Sequence, residues 1–220
     1  MFQPADLNRT IDTSNAISPG FLVASPKLDD TPFERAVVVM VHHDDEGAMG
    51  FIVNKPLEID FGSLIQSVND DIGSQLIAES FDQPVHFGGP VRIEQLWLMF
   101  QRDIEGEEDR LANQRLLEKM KLPDDGALTF GEGWFLAASG DIIEGFARGS
   151  QHGCYRPFIG YSGWDAGQLE AEIEEGSWLL LDFDDDFVFD RLPRLHWDEA
   201  LERIGVDPTA FLMMGKSGMA

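Results

Sequence analysis

Cysteine is nearly absent, and the single Cys154 among 220 residues excludes an internal disulfide framework and any four-cysteine zinc site. Basic residues are scarce as well, 16 against 40 carboxylates. The resulting net charge of −24 repels phosphate backbones and anionic lipid unless cations cluster locally. The best such cluster is Arg110, Arg115, Lys119 and Lys121, which Glu107, Glu108, Asp109 and Glu118 dilute, and no aromatic side chain interleaves it to stack on bases. Long apolar runs are missing too: the longest, Ala36 to Val41, is six residues, against about 20 for a membrane span. The first twenty residues hold Asp6, Asn8, Arg9 and Asp12 and form no secretory signal. These absences predict a cytosolic protein with neither nucleic acid nor membrane as partner.

What is present is globular in composition. Hydrophobic residues at 43% and charged residues at 25% are near the averages for folded domains, and the length suits one domain. Residues 1 to 17 are polar and aperiodic and read as a flexible N-terminal arm, leaving 18 to 220 as a single domain. Gly20 to Ser25, Arg35 to His42 and Ala48 to Asn54 are apolar runs bounded by turn formers, which predicts three strands, the last two a hairpin. Phe61, Leu64, Ile65 and Val68 recur at helical spacing, with a restart expected near Gly73. Val85 to Phe87 and Gln95 to Phe100 read as strands around Gly88-Gly89-Pro90. Residues 103 to 125 read as a charged surface helix, followed by strands at Ala127 to Phe130 and Trp134 to Ala138. A short helix capped by Ser139 ends at Gly149. Tyr155 to Tyr161 is extended, and a helix begins at Asp165 or Ala166. Trp178 to Phe183 and Phe187 to Phe189 read as strands, and Leu195 to Ile204 as a terminal helix. Strands and helices mix without βαβ alternation, which predicts an α+β fold of mixed, largely antiparallel sheets with flanking helices.

The chemical motifs are weak. Ala210 to Ser217 fits a loose phosphate-loop pattern, but Phe211 to Met214 fill the loop and only three residues follow where a helix is needed. Asp182, Asp184 and Asp186 have calcium-loop spacing until Phe187 stands where glycine is required. His42 and His43 are adjacent on a strand and point to opposite faces, so at most His42 and Asp44 cooperate. Gly160-Tyr161-Ser162-Gly163 lacks the spacing of a nucleophile elbow. Cys154 reads as a small buried hydrophobe, with a redox-sensitive thiol beside His152 and Arg156 as the alternative. No catalytic residue, metal or cofactor is expected.

Three glycine-rich blocks remain: Gly47 to Pro56, Phe87 to Val91, and Arg156 to Trp164 running on to Glu170. Glycine permits positive φ and close backbone approach, so such blocks suit packed turns or a concave ligand surface. If they converge, the candidate pocket is Asn54, Gly88, Gly89, Arg156, Tyr161, Trp164 and Gln168, with Arg156 recognising an anionic group. Otherwise these residues are scaffold around the edge of a sheet, and Gln168→Ala costs roughly 1–3 kcal/mol through unsatisfied buried groups.

Together the blocks resemble the YqgE/AlgH family of small bacterial proteins. Further agreement comes from Phe21 to Pro26, Phe33 to Val41, Glu172, Trp178, Trp197 and Ile204-Gly205-Val206-Asp207. The resemblance covers about residues 18 to 215 and implies a cytosolic α+β domain with no established activity, associated with regulation of exopolysaccharide production. Leu98-Met99-Phe100 departs from the Leu-His usual in the family. The expectation is a non-enzymatic regulatory or interaction protein acting through protein partners. The alternative is a small-molecule binder or enzyme using the polar pocket.

Overall fold

Apolar residues at consecutive rather than alternate positions mark strands covered on both faces. A computed structural model describes residues 17–68, 75–101, 127–130, 133–138, 140–149, 154–184, 187–188 and 196–217. In it β1 (Gly20–Ala24) and β3 (Gly47–Ile52) are buried at every residue, and β2 (Val37–Asp44) at all but the last. Successive side chains therefore feed two different cores. Phe21, Val23, Val39 and Phe51 join one cluster with Trp97, Phe158 and Trp197, while Leu22, Val38, Met40 and Ile52 join another with Trp164, Leu169 and Trp178.

The fold is α+β. β4 (Pro56–Asp60) and β5 (Pro84–Phe87) pair antiparallel, and β6 (Val91–Gln101), β7 (Ala127–Phe130), β8 (Trp134–Ala137), β9 (Tyr155–Asp165) and β10 (Trp178–Asp182) complete the sheet. Its order is β10-β1-β2-β3-β9-β6-β8-β7, with β5 laid parallel to β9. The long β9 joins the two halves: residues 162–165 pair with β3 and residues 155–161 with β6.

Helices cover the sheet where its apolar side chains emerge. α1 (Phe61–Val68) and α3 (Gly140–Ala147) bury Phe61, Ile65, Ile143 and Phe146 against Leu98 and Phe100. α2 (Glu79–Asp82) is a single turn beside α1. α4 (Gln168–Glu174) lays Leu169 on the cluster around Trp164 and Trp178. α5 (His196–Ile204) buries Trp197, Ala200 and Leu201 on the opposite face, and α6 (Pro208–Ser217) follows it.

Several expectations are corrected. β9 runs past Tyr161 to Asp165, so the next helix starts at Gln168 rather than Asp165 or Ala166. Phe187 and Val188 lie in a helical turn, not a strand. Both bury their side chains in the same cluster, which the alternation of a strand forbids. Residues 210–217, whose match to a phosphate-loop pattern the sequence already marks as fortuitous, are helical. Cys154 is exposed rather than buried. Residues 1–16, the stretch 103–125, Ser139 and the restart near Gly73 lie outside the described residues. Among the described residues no helix is long and apolar enough to cross a membrane.

Candidate functional site

The three glycine-rich blocks meet on β9, in the interior of the sheet rather than around its edge. Gly50 lies opposite Ser162, Ala48 opposite Trp164, and Val91 opposite Tyr161. The Gly88 N–H donates to the Ile159 carbonyl at 2.9 Å, and the Gly88 carbonyl accepts from the Ile52 N–H and the Ser162 hydroxyl, each at 3.0 Å. This crossing is built backbone against backbone. A Cβ on Gly88 would overlap the Gly160 carbonyl oxygen, and one on Gly89 would overlap Tyr161 and Ser162.

Gly160 has φ of +67°, and its effect reaches the whole strand. A residue of β9 in the left-handed region breaks the strand's alternation, at the point where the register with β6 shifts, and moves the following side chains to the other face. Phe158 before it and Tyr161 after it both enter the cluster around Phe51 and Trp97. Trp164, which uninterrupted alternation would place with Phe158, instead enters the cluster under α4. The candidate residues are therefore split, and Arg156 and Trp164 are eight positions apart, roughly 25 Å along an extended chain.

Near the crossing, Asn54 spends both ends of its amide on the backbone: Oδ1 accepts from the Val37 N–H at 2.9 Å and Nδ2 donates to the Arg35 carbonyl at 2.8 Å. It clamps Arg35, which holds φ of +49°. Arg156 is buried and donates from Nη1 to the Val53 carbonyl at 2.9 Å. Burial lowers its pKa to about 10, so it stays charged at neutral pH. His86, on β5, lies with its ring 5.9 Å from that of Phe158, and burial, then the Arg156 charge, depress its pKa to about 3. Tyr161 packs edge-on to Trp97, and burial raises its pKa.

At the far end of β9 a carboxylate collects donors. Glu172 Oε2 accepts from the indole N–H of Trp164 at 3.0 Å and of Trp178 at 2.8 Å, and Oε1 accepts from Gln168 Nε2 at 2.8 Å. Gln168 Oε1 in turn accepts the Asp165 N–H at 3.1 Å. Phe33 packs edge-on to Trp178, which packs edge-on to Trp164. Gln168 itself is exposed.

One cleft lies beside the crossing, about 200 Å³ in volume and lined by Glu34, Arg35, Asn54, Lys55, Trp197 and Asp198. Of the seven candidates it includes Asn54. The Arg35 guanidinium sits 5.6 Å from the centroid of the Trp197 ring, and burial lowers the Lys55 pKa while Glu34 opposes that shift. The sequence does not reveal this cleft, and it marks Glu172 only through the family resemblance, without its role as an acceptor. The signals that could have found them were the Trp197 that opens an amphipathic helix and the Asn54-Lys55-Pro56 turn. His42 pairs with Asp44 at 3.1 Å and His43 with Glu170 at 2.8 Å on separate partners. Among the described residues no group of three metal-ligating side chains comes together.

Comparison with known proteins agrees with this architecture. The model of the family described as DUF179: AlgH-like matches residues 21–209. A UPF0301 protein from Anaeromyxobacter dehalogenans is 34% identical over 205 residues, spanning 93% of this chain and 96% of its own. One from Paracoccus denitrificans is 35% identical over 201 residues, with 90% and 95% covered. The solution structure of the AlgH protein from Pseudomonas aeruginosa superposes with a TM-score of 0.68 at 24% identity, covering 92% of this chain and 96% of that one. A crystal structure from Corynebacterium diphtheriae gives 0.62 at 17% identity, with 98% and 99% covered. These last two share the fold. From the family match and the full-length relatives together, the chain belongs to the AlgH-like DUF179 family.

Proposed function

We propose that the chain is a non-enzymatic, regulatory interaction protein that works by docking a protein partner. The observation that carries this reading is the commitment of its polar candidates to its own fold. Asn54 is bonded twice to backbone, Arg156 to the Val53 carbonyl, and Trp164 and Gln168 to Glu172. A side chain so engaged must break a bond before it can meet a substrate, and a catalytic group gains nothing from that. Large apolar side chains are meanwhile left in solvent, among them Leu57 on β4, Val68 on α1 and Phe81 on α2. Exposed apolar groups of this kind suit contact with another protein.

Chemical crosslinking of the full chain in lysate, followed by reconstitution with the purified partner, tests the reading. A stoichiometric complex is the expected result. A second reading, a small-molecule binder, rests on Lys55 and Arg35 in the cleft, which is smaller than the roughly 300–1,000 Å³ of common ligand pockets. A thermal-shift screen against a metabolite panel separates the two. A saturable rise in melting temperature that Lys55→Met abolishes, with no protein complex, overturns the interaction reading.

A further inference from the structure

A sheet edge exposes unpaired N–H and C=O groups, and proteins blunt such edges with proline, charge or bulges. β4 follows that rule. Pro56 opens it, Glu58 and Asp60 charge it, and its register with β5 shifts between Pro56 and Asp60.

β10 does not follow it. It pairs with β1 through five successive residues without a shift, from Ala24 opposite Trp178 to Gly20 opposite Asp182. Trp178-Leu179-Leu180-Leu181 contains neither proline nor charge. Among the described residues no strand pairs with its outer side. The Ser25 N–H donates to the Ser177 carbonyl, so Ser177 and, by alternation, Leu179 and Leu181 turn their backbone groups toward β1. Trp178, Leu180 and Asp182 turn theirs outward. Leu180 also leaves 49% of its surface in solvent.

Charge decides which strand fits. The outward row ends at Asp182 and begins just after Glu174 and Glu175, all three exposed. A second copy paired antiparallel would set each Asp182 beside the other copy's Glu174–Glu175 end and bring together two chains of net charge −24. A strand with basic ends meets carboxylates at both ends instead, and an apolar centre meets Leu180.

We propose that the outer edge of β10 docks an extended segment of a partner protein, apolar at its centre and basic at both ends, as an added antiparallel strand. This rests on the protein-interaction reading and names its surface and partner chemistry.

The test uses the full chain and a synthetic peptide of alternating Val and Thr with lysines at both ends, with a glutamate-ended peptide as control. The lysine-ended peptide is expected to bind and to slow amide exchange at Trp178, Leu180 and Asp182, and the control to bind at least about tenfold more weakly. Leu180→Pro removes an outward N–H and leaves the β1 ladder intact, so it is expected to abolish this binding with the fold retained. If that variant does not fold, Leu180→Lys is expected to weaken binding by setting a charge against the peptide's apolar centre. Absence of binding overturns the proposal, as does equal binding of both peptides or concentration-dependent dimerisation blocked by Leu180→Pro. Protection confined to Leu57, Val68 and Phe81 overturns the β10 assignment and leaves the interaction reading standing. A metabolite response in the thermal screen is what overturns that reading itself.

Discussion

The two ends of β9 are held by opposite means. Around Gly160 the chain is fixed by what is missing: Gly88, Gly89 and Gly160 lie backbone on backbone, with no room for a Cβ. At Trp164 it is fixed by side chains, because one carboxylate, Glu172, gathers two indoles and an amide. A contact between backbones has no intermediate state, since any added carbon must displace main chain on both sides. A side-chain network can be dismantled one donor at a time. The first should therefore fail at once and the second in steps.

The largest effect is expected at the glycine crossing. In Gly160→Ala the new methyl would overlap the carbonyl oxygens of Gly89 and Val91, at φ of +67° where a Cβ is already disfavoured. We expect a loss of roughly 3–5 kcal/mol in urea unfolding, near the upper end for single substitutions. A loss below about 1 kcal/mol would mean that the crossing can spread, and the contrast with Trp164 would disappear.

Next comes Glu172→Ala, which strands the indole N–H groups of two buried tryptophans and should cost roughly 2–4 kcal/mol. Glu172→Gln tests whether the network fails in steps. Its remaining oxygen can still accept both indoles, but its NH₂ confronts the Gln168 amide. Gln168→Glu in that background supplies an acceptor on both sides and should recover most of the loss. If Gln168→Glu is equally harmful in the native chain and in the Glu172→Gln background, the three donors do not act through one carboxylate.

The crossing also carries a proton signature. His86 in the folded chain has a pKa near 3, against about 6.5 unfolded, because burial and then the Arg156 charge oppose its protonation. Between those values the unfolded chain binds a proton that the folded chain refuses, so stability falls as pH drops from 6.5 toward 3. Unfolding free energies at pH 6.5 and 5 should differ by roughly 1–2 kcal/mol more in the native chain than in His86→Phe. Equal slopes would place His86 in water.

The sequence made much of this legible, and its omissions have physical causes. Runs such as Val37 to Val41 announce doubly covered strands, because burial on both faces removes the polar alternate positions. β4 carries no strand signal in the sequence because Pro56, Glu58 and Asp60 break up its apolar pattern, which is how a protected edge looks in sequence. Asn54, Arg156 and Trp164 looked like one pocket because their blocks share a composition. The sign of φ at Gly160, which parts them onto two faces, is not encoded in the residue type. Glu172 could be recognised only once β9, β10 and α4 had met, since its donors come from all three.

The smallest effect is expected where the network reaches water. Read from sequence, Gln168→Ala promised a cost of roughly 1–3 kcal/mol, on the premise that its partners would be left buried and unsatisfied. Gln168 is exposed, as is Asp165, whose N–H it accepts. Water can therefore take over both bonds, one to that N–H and one to Glu172 Oε1. We expect Gln168→Ala to cost less than about 1 kcal/mol in thermal or urea unfolding, with the fluorescence of Trp164 and Trp178 unchanged. Asn54→Ala, made in parallel, removes two backbone bonds, one of them to the partly buried Val37 N–H, and should cost more. If the order is reversed, the amide of Gln168 is what holds the Glu172 carboxylate against the indoles, and the network is a single unit like the crossing.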